Sequence, residues 1–298
     1  MDLNNQAGNS LARARSFIYN NARLLDRRRF EYHFEGGPKE AVIEALRAYQ
    51  NADGGFGHAL EPDIRCPHSQ PVPTEMALMI MDEIGYFDPA MMEGIGRYLQ
   101  TAVLPTGGLP FVTRSVNDYP HMPWWTTDND NAASINPTGR LLGLLYKQQA
   151  LPELTKSEPF ERSVSFVWNS LEREEPHHYH DAVQWISFLE QTPDRERAER
   201  IRPVLDKWLS RSGAIEKDPS ASGYVHKVLD WAPAADSYAR RFATDEEVAR
   251  HLQALVGEQQ EDGGWPISFD AISPAGLQEW RGWQTVDRLR TLRSYGIE

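Results

Sequence analysis

Acids, aromatics and a histidine crowd into one stretch of the chain, Tyr119–Asn136, with the sequence YPHMPWWTTDNDNAASIN. Within it His121 is a candidate base, Trp124 and Trp125 offer ring faces, and Asp128 and Asp130 carry two carboxyl groups one residue apart. Closely placed carboxyl groups suit acid–base work, because burial or a like-charged neighbour keeps one of them protonated. The blander reading is an Asx-rich loop whose Asp and Asn side chains cap turns. A second set is Glu61-Pro62-Asp63-Ile64-Arg65-Cys66-Pro67-His68. Glu61 and Asp63 read as rim carboxylates, or else as partners of neighbouring arginines. Asp270 follows Trp265 by five residues as Glu61 follows Phe56 by five. Acids facing each other across a cavity could serve as an acid–base pair for sugars. Asp63, Cys66 and His68 are zinc-ligand types, but a lone cysteine excludes a thiolate-rich site, so no metal is expected. In His177-His178-Tyr179-His180-Asp181, adjacent side chains diverge, and the bland reading is a helix start.

The elements that must hold these residues read as helices. Ser10 caps a helix over Leu11–Phe34, and Pro38 opens Lys39–Gln50. Further helices are expected from Pro73 to Gly85, Pro89 to Thr101, Pro137 to Gln149, Pro159 to Glu172 and His180 to Gln191. Others run from Pro193 to Ser210, Asp245 to Gln260 and Gln284 to Tyr295. Tyr224–Phe242 reads as one or two broken helices. Asn136-Pro137-Thr138 has the order of an N-cap followed by Pro at the first helical position. Strand signals are sparse, and no linker divides the chain. The expectation is an all-α fold in a single domain, 1–298.

An internal repeat fixes the architecture expected. Ala45-Leu46, then Gln50 and Asp53-Gly54-Gly55-Phe56, line up with Ala254-Leu255, then Gln259 and Asp262-Gly263-Gly264-Trp265. A degenerate copy joins Gln100 to Gly107-Gly108-Leu109-Pro110. In each unit a helix ends, two glycines turn the chain, an aromatic or apolar residue packs beneath, and a second helix starts after a loop. Such units bury their faces by stacking on one another. Five to six helical hairpins closing into an α/α toroid are expected. Met76, Met79, Met81, Met91 and Met92 read as fillers of gaps between helices. The loop from Gly108 to Pro137 spans 29 residues against 18 from Gly55 to Pro73, so the acidic, Trp-containing stretch is where the repeat is interrupted.

The units at Leu46–Phe56 and Leu255–Trp265 resemble the QW-type repeats of the terpenoid cyclase and protein prenyltransferase superfamily. That resemblance implies an α/α toroid around a central cavity. Asp128-Asn129-Asp130-Asn131 is similar to the Asp-x-Asp-Asp motif of class II, protonation-initiated cyclases, differing in its last residue. By this resemblance Asp130 is the general acid and Asp128 its partner, on an isoprenoid substrate. The aromatic faces that such chemistry uses to stabilise a cation would be Trp124, Trp125, Trp265, Trp283 and Phe56. The Gly-Gly-Trp-Pro turn also resembles some α/α-toroid polysaccharide lyases, which implies an oligosaccharide substrate instead.

The whole-chain numbers narrow the classes. The 298 residues carry 31 basic and 43 acidic groups, a formal net charge of −12. That balance disfavours a nucleic-acid partner, which needs a positive face. No apolar run is long enough for a membrane helix. One cysteine and no signal-like start point to the cytoplasm. No phosphate loop, dinucleotide fingerprint or nucleophile elbow is present, and no cofactor is expected. Three functions stay open: an isoprenoid-handling enzyme, a carbohydrate-active hydrolase or lyase, and a non-catalytic binding protein.

Overall fold

The computed structural model describes residues 3–297, with side chains from residue 9 onward. Its α-helices are α1 (Leu3–Asn21), α2 (Leu24–Phe34), α3 (Lys39–Arg47), α4 (Pro71–Glu83), α5 (Pro89–Ala102) and α6 (Ile135–Lys147). They continue with α7 (Glu158–Arg173), α8 (Tyr179–Gln191), α9 (Arg195–Leu209), α10 (Val228–Trp231), α11 (Asp245–Gly257) and α12 (Pro274–Ser294). The named strands among the described residues, β1 (Leu109–Pro110) and β2 (Ala133–Ser134), form one antiparallel pair, Leu109 opposite Ser134. The fold is all-α. The chain divides into two compact units, residues 1–45 with 209–298, and residues 46–208.

In the unit of residues 46–208, α6 lies between α4 and α8. Gly139 and Gly143 face the backbone of α8 at Gln184 and Ser187, where a Cβ would crowd it. The chain enters α4 through a turn whose bonding explains the repeated residues. Asn51 N donates to Gly55 O (2.9 Å), Gly54 N to Asn51 O (2.9 Å), and Gly55 N to Asp53 Oδ1 (3.0 Å). Gln50 Nε2 ties the turn to Gly54 O (3.0 Å) and to Met91 O of α5 (3.2 Å). Phe56, fully buried, donates its amide to Thr74 Oγ1 of α4 (3.1 Å). The same pattern recurs before α6: Leu104 N to Gly108 O, Gly107 N to Leu104 O, and Leu109 N to Thr138 Oγ1 (3.0 Å). In this copy the position of Gln50 is taken by Val103, three residues after the Gln100 that the sequence aligns with it.

In the unit of residues 1–45 and 209–298, the third copy is closest to the first. Gln260 N donates to Gly264 O, Gly263 N to Gln260 O, and Trp265 N to Thr285 Oγ1 of α12 (3.1 Å). Gln259 Nε2 reaches Gly263 O and Ser10 O of α1, each at 2.8 Å. Gly54 (φ +93°) and Gly263 (φ +92°) sit against a helix backbone, at Gly94 O of α5 and Arg13 O of α1. A Cβ at either position would meet that carbonyl as well as an unfavourable φ. The turn is thus a backbone-to-backbone docking device, and Gly is required for both reasons.

Three helix boundaries differ from expectation. The first helix starts at Leu3, so Ser10 is a buried residue within α1 and not its cap. The helix expected over Leu11–Phe34 is two helices, α1 and α2, separated at Ala22-Arg23. Arg23 is extended (φ −58°, ψ 155°), and its Nε donates to Asp26 Oδ2 (2.9 Å). Asn20 and Asn21 just before it disfavour continuation, since Asn side chains compete for backbone groups; Asn21 Nδ2 takes Phe17 O (3.1 Å). The last helix starts at Pro274, capped by Ser273 Oγ on Gly276 N (3.0 Å), ten residues before Gln284. Its opening turns interleave Leu277, Trp280 and Trp283 with Gly276, Gln278, Glu279, Arg281 and Gly282, and Ser273-Pro274 was the available start signal.

Candidate functional site

The two loops that attracted attention separately in the sequence are joined. Residues 61–65 and 120–122 run antiparallel, with Ile64 bridged to His121. Arg65 N donates to Pro120 O (3.0 Å) and Met122 N to Asp63 O (3.1 Å). Beneath them Ile64, Cys66, Val72, Val112, Val116 and Trp125 form an apolar cluster. Trp125 stacks on Phe111 (centroids 4.8 Å apart), and Trp124 is 48% exposed.

Upstream of this joint, His58 (φ 55°) and Ala59 (φ 60°) are consecutive non-glycine residues in the left-handed region. Each such residue costs of order 1 kcal/mol. Gly57, against the carbonyls of Pro67 and His68, leaves no room for a side chain. His58 N donates to Cys66 O (3.1 Å), and its Nε2 meets Asn51 Oδ1 at 2.8 Å. The result is a tight closed loop that carries Glu61 (3% exposed) and Asp63 (1% exposed) into the interior. Two buried carboxyl groups thus follow the strained backbone by three and five residues. The sequence named both acids but gave no sign of the strain.

His121 is oriented by both ring nitrogens. Nδ1 lies 2.7 Å from Tyr119 O and Nε2 3.0 Å from Thr126 Oγ1. A carbonyl only accepts, so Nδ1 carries the proton and Nε2 is the basic nitrogen, receiving the Thr126 hydroxyl. Asp130, part-exposed, accepts the amide of Arg114 (2.5 Å) at the start of a short 3-10 turn. Asp128 is exposed. Around them Asn131 N donates to Asn129 Oδ1 (2.9 Å), so this tetrapeptide forms a turn-capping network. Cys66 Sγ lies 3.5 Å from Ser115 O, and His68 Nε2 lies 3.1 Å from Tyr119 Oη. Among the described residues no group of three or more His, Cys, Asp or Glu is placed to hold a metal ion.

Of the remaining candidates, Phe56 belongs to the same unit and sits under its turn. Trp265, Trp283 and Asp270 belong to the other unit. Trp265 is core, with Nε1 donating to Leu255 O (2.8 Å). Trp283 lies under the buried Arg29 guanidinium (4.0 Å), which pairs with Asp26 (3.0 Å) and Asp287 (2.7 Å). Asp270 is exposed, unlike Glu61 at the matching position of the repeat. In the histidine cluster, His178 caps α8 by accepting from Asp181 N (3.3 Å), and His177 is exposed.

Two buried acids lie outside the sequence candidates: Asp26, paired with Arg23 and Arg29, and Glu75. Glu75, in the second turn of α4, is 6% exposed at its side chain and meets Gln184 of α8 and Arg140 of α6. Burial pushes its carboxyl above the usual range, outweighing the nearby Arg140 cation and the Gln184 bond. In the sequence it sits inside the apolar run Pro73–Met81, and a Glu among apolar residues on a helix expected to be internal was the available signal.

No family model matches the chain, and no curated protein matches it. Among solved structures, a crystal structure of a protein from Actinoplanes is similar in fold, at 14% sequence identity and a TM-score of 0.57. The likeness spans 97% of this chain and 99% of that one.

Proposed function

We propose that the chain is an acid–base enzyme acting on a polar, carbohydrate-like substrate. Glu61 and Asp63 are its carboxyl groups and His121 an oriented base. The observation that supports this most is the junction of the two loops. Strained backbone carries two buried acids against the segment that holds a tautomer-fixed histidine. A connection needed only to link two helices would not call for that strain. The polar side chains of both loops suit a hydroxyl-rich ligand, and the exposed Trp124 ring offers a face for a sugar. A panel of oligosaccharides, assayed for new reducing ends or unsaturated products, tests the reading. Turnover that falls at least about 100-fold in E61Q and D63N, with the fold retained, supports it.

An isoprenoid-handling enzyme is the second reading, supported by the recurrence of one turn-bonding pattern at Phe56, Leu109 and Trp265. In it Asp130 donates the proton and Asp128 assists. Activity on an isoprenoid substrate that survives Asp130→Asn would remove that assignment.

A further inference from the structure

Glu75 takes no part in the loops described above, yet its surroundings are built around it. Its Oε1 accepts from Gln184 Nε2 (2.7 Å) and lies 3.7 Å from Arg140 Nε. Its Oε2 makes no hydrogen bond among the described residues. Gln184 is fixed in turn, with Oε1 accepting the Arg140 amide (2.5 Å) and Nε2 also reaching Asn136 Oδ1 (3.2 Å). Arg140 Nη1 touches Met79 Sδ (3.2 Å), and Nη2 makes no hydrogen bond among the described residues. Arg140, Met79 and Asn136 are part-exposed, so solvent reaches this side of the group.

The charges around the group are few. Arg140 is the charged side chain that acts on Glu75. The next pair along the same two helices, Lys147 with Asp82 (2.6 Å), closes their far end, and α8 presents the uncharged Gln184 here. Burial raises the Glu75 pKa against the pull of Arg140; when Glu75 takes up a proton, Arg140 loses its counter-charge and the carboxyl gains an O–H able to donate. A guanidinium edge beside a carboxyl O–H offers one donor to each oxygen of a planar oxyanion. A monoanion completes the charge balance, whereas a dianion such as phosphate overshoots it.

We propose that Glu75 and Arg140 form a proton-linked binding site for the carboxylate group of a small molecule, with Gln184 and Asn136 as positioning residues. On binding, the ligand carboxylate pairs with Arg140 and accepts the Glu75 O–H. Where Glu75 is ionised in the empty site, one proton is taken up from solvent. Its formation does not depend on the acid–base reading of Glu61 and Asp63.

The test uses the full chain with 13C-labelled acetate, followed by NMR line broadening between pH 5 and 9, with inorganic phosphate as the comparison anion. Calorimetry in two buffers of different ionisation enthalpy counts protons in the wild type, with no variant needed. Acetate affinity should fall about tenfold per pH unit at the alkaline end, with proton uptake approaching one per acetate there. R140M should lose at least tenfold in affinity, and R140K should lose less. E75Q should keep binding and lose the pH dependence. Absence of acetate binding at every pH, uptake of no protons, an unchanged pH dependence in E75Q, or tighter binding of phosphate than of acetate would each overturn the proposal.

Discussion

At the scale of single residues, the informative groups are those whose burial and type disagree. Burial raises the folded pKa of the Glu75 carboxyl above its ordinary value of 4.5. Its contribution to stability is therefore present at low pH. It is lost as pH rises from 4.5 through the raised folded value. Glu75→Gln cannot ionise, so the stability difference should move in favour of E75Q between pH 4.5 and 8, as read by urea unfolding. A constant difference would contradict the account. Asp262 goes the other way. Arg281 holds it with two 2.7 Å bonds, and that hydrogen bonding keeps its carboxyl below the usual range. Its contribution is present above pH 3.8 and fades as pH falls through the lowered folded value. Because Asp262 is about half exposed, D262N should cost only about 1 kcal/mol at pH 7 and progressively less as pH falls below 3.8. Residue types were legible in the sequence here, while partners were not. Glu61, Asp63 and His121 could be named as candidates, but Glu75 needs Arg140 and Gln184, 65 and 109 residues away, to acquire its character.

At the scale of elements, three turns share one wiring, and that wiring makes the repeat testable. Each delivers an amide to a threonine on the following helix: Phe56 to Thr74, Leu109 to Thr138, Trp265 to Thr285. All three threonines are buried. T74V or T285V should leave a buried N–H unpaired and cost about 1–3 kcal/mol in urea unfolding. G54A and G263A should cost more, about 3 kcal/mol or complete loss of folding, because positive φ and contact with the Gly94 or Arg13 carbonyl add. A loss below about 1 kcal/mol in both glycine variants would refute the docking role of the turn. The repeat was legible because Gly, Gln and Asp are required by backbone geometry at fixed spacing. The degenerate copy was misplaced by three residues because Val103, having no amide side chain, left no signal at the Gln position. The start of α12 lies at Ser273-Pro274, a cap-and-proline signal diluted by the glycines and charged residues that follow, whereas the break before α2 rests on an extended arginine that leaves no sequence mark.

At the scale of the whole molecule, composition and fold likeness say different things. A net charge of −12 disfavours binding to phosphate backbones, so the chain should pass through a heparin column at about 0.1 M salt. Retention there would contradict the reading of the charge balance. No helix among the described residues is long and apolar enough to cross a membrane. The Actinoplanes structure shares the fold at 14% identity over nearly all of both chains, which speaks to fold and not to chemistry. The chemistry must then be sought in this chain's own loops. The most direct measurement is product formation from an oligosaccharide panel by the wild type, E61Q and D63N, with melting temperatures recorded for each. At least one oligosaccharide is expected to be turned over by the wild type, with both variants folded and at least about 100-fold slower. Turnover undiminished in the two variants, or no oligosaccharide turned over or raising the melting temperature while an isoprenoid compound does, would contradict the acid–base reading.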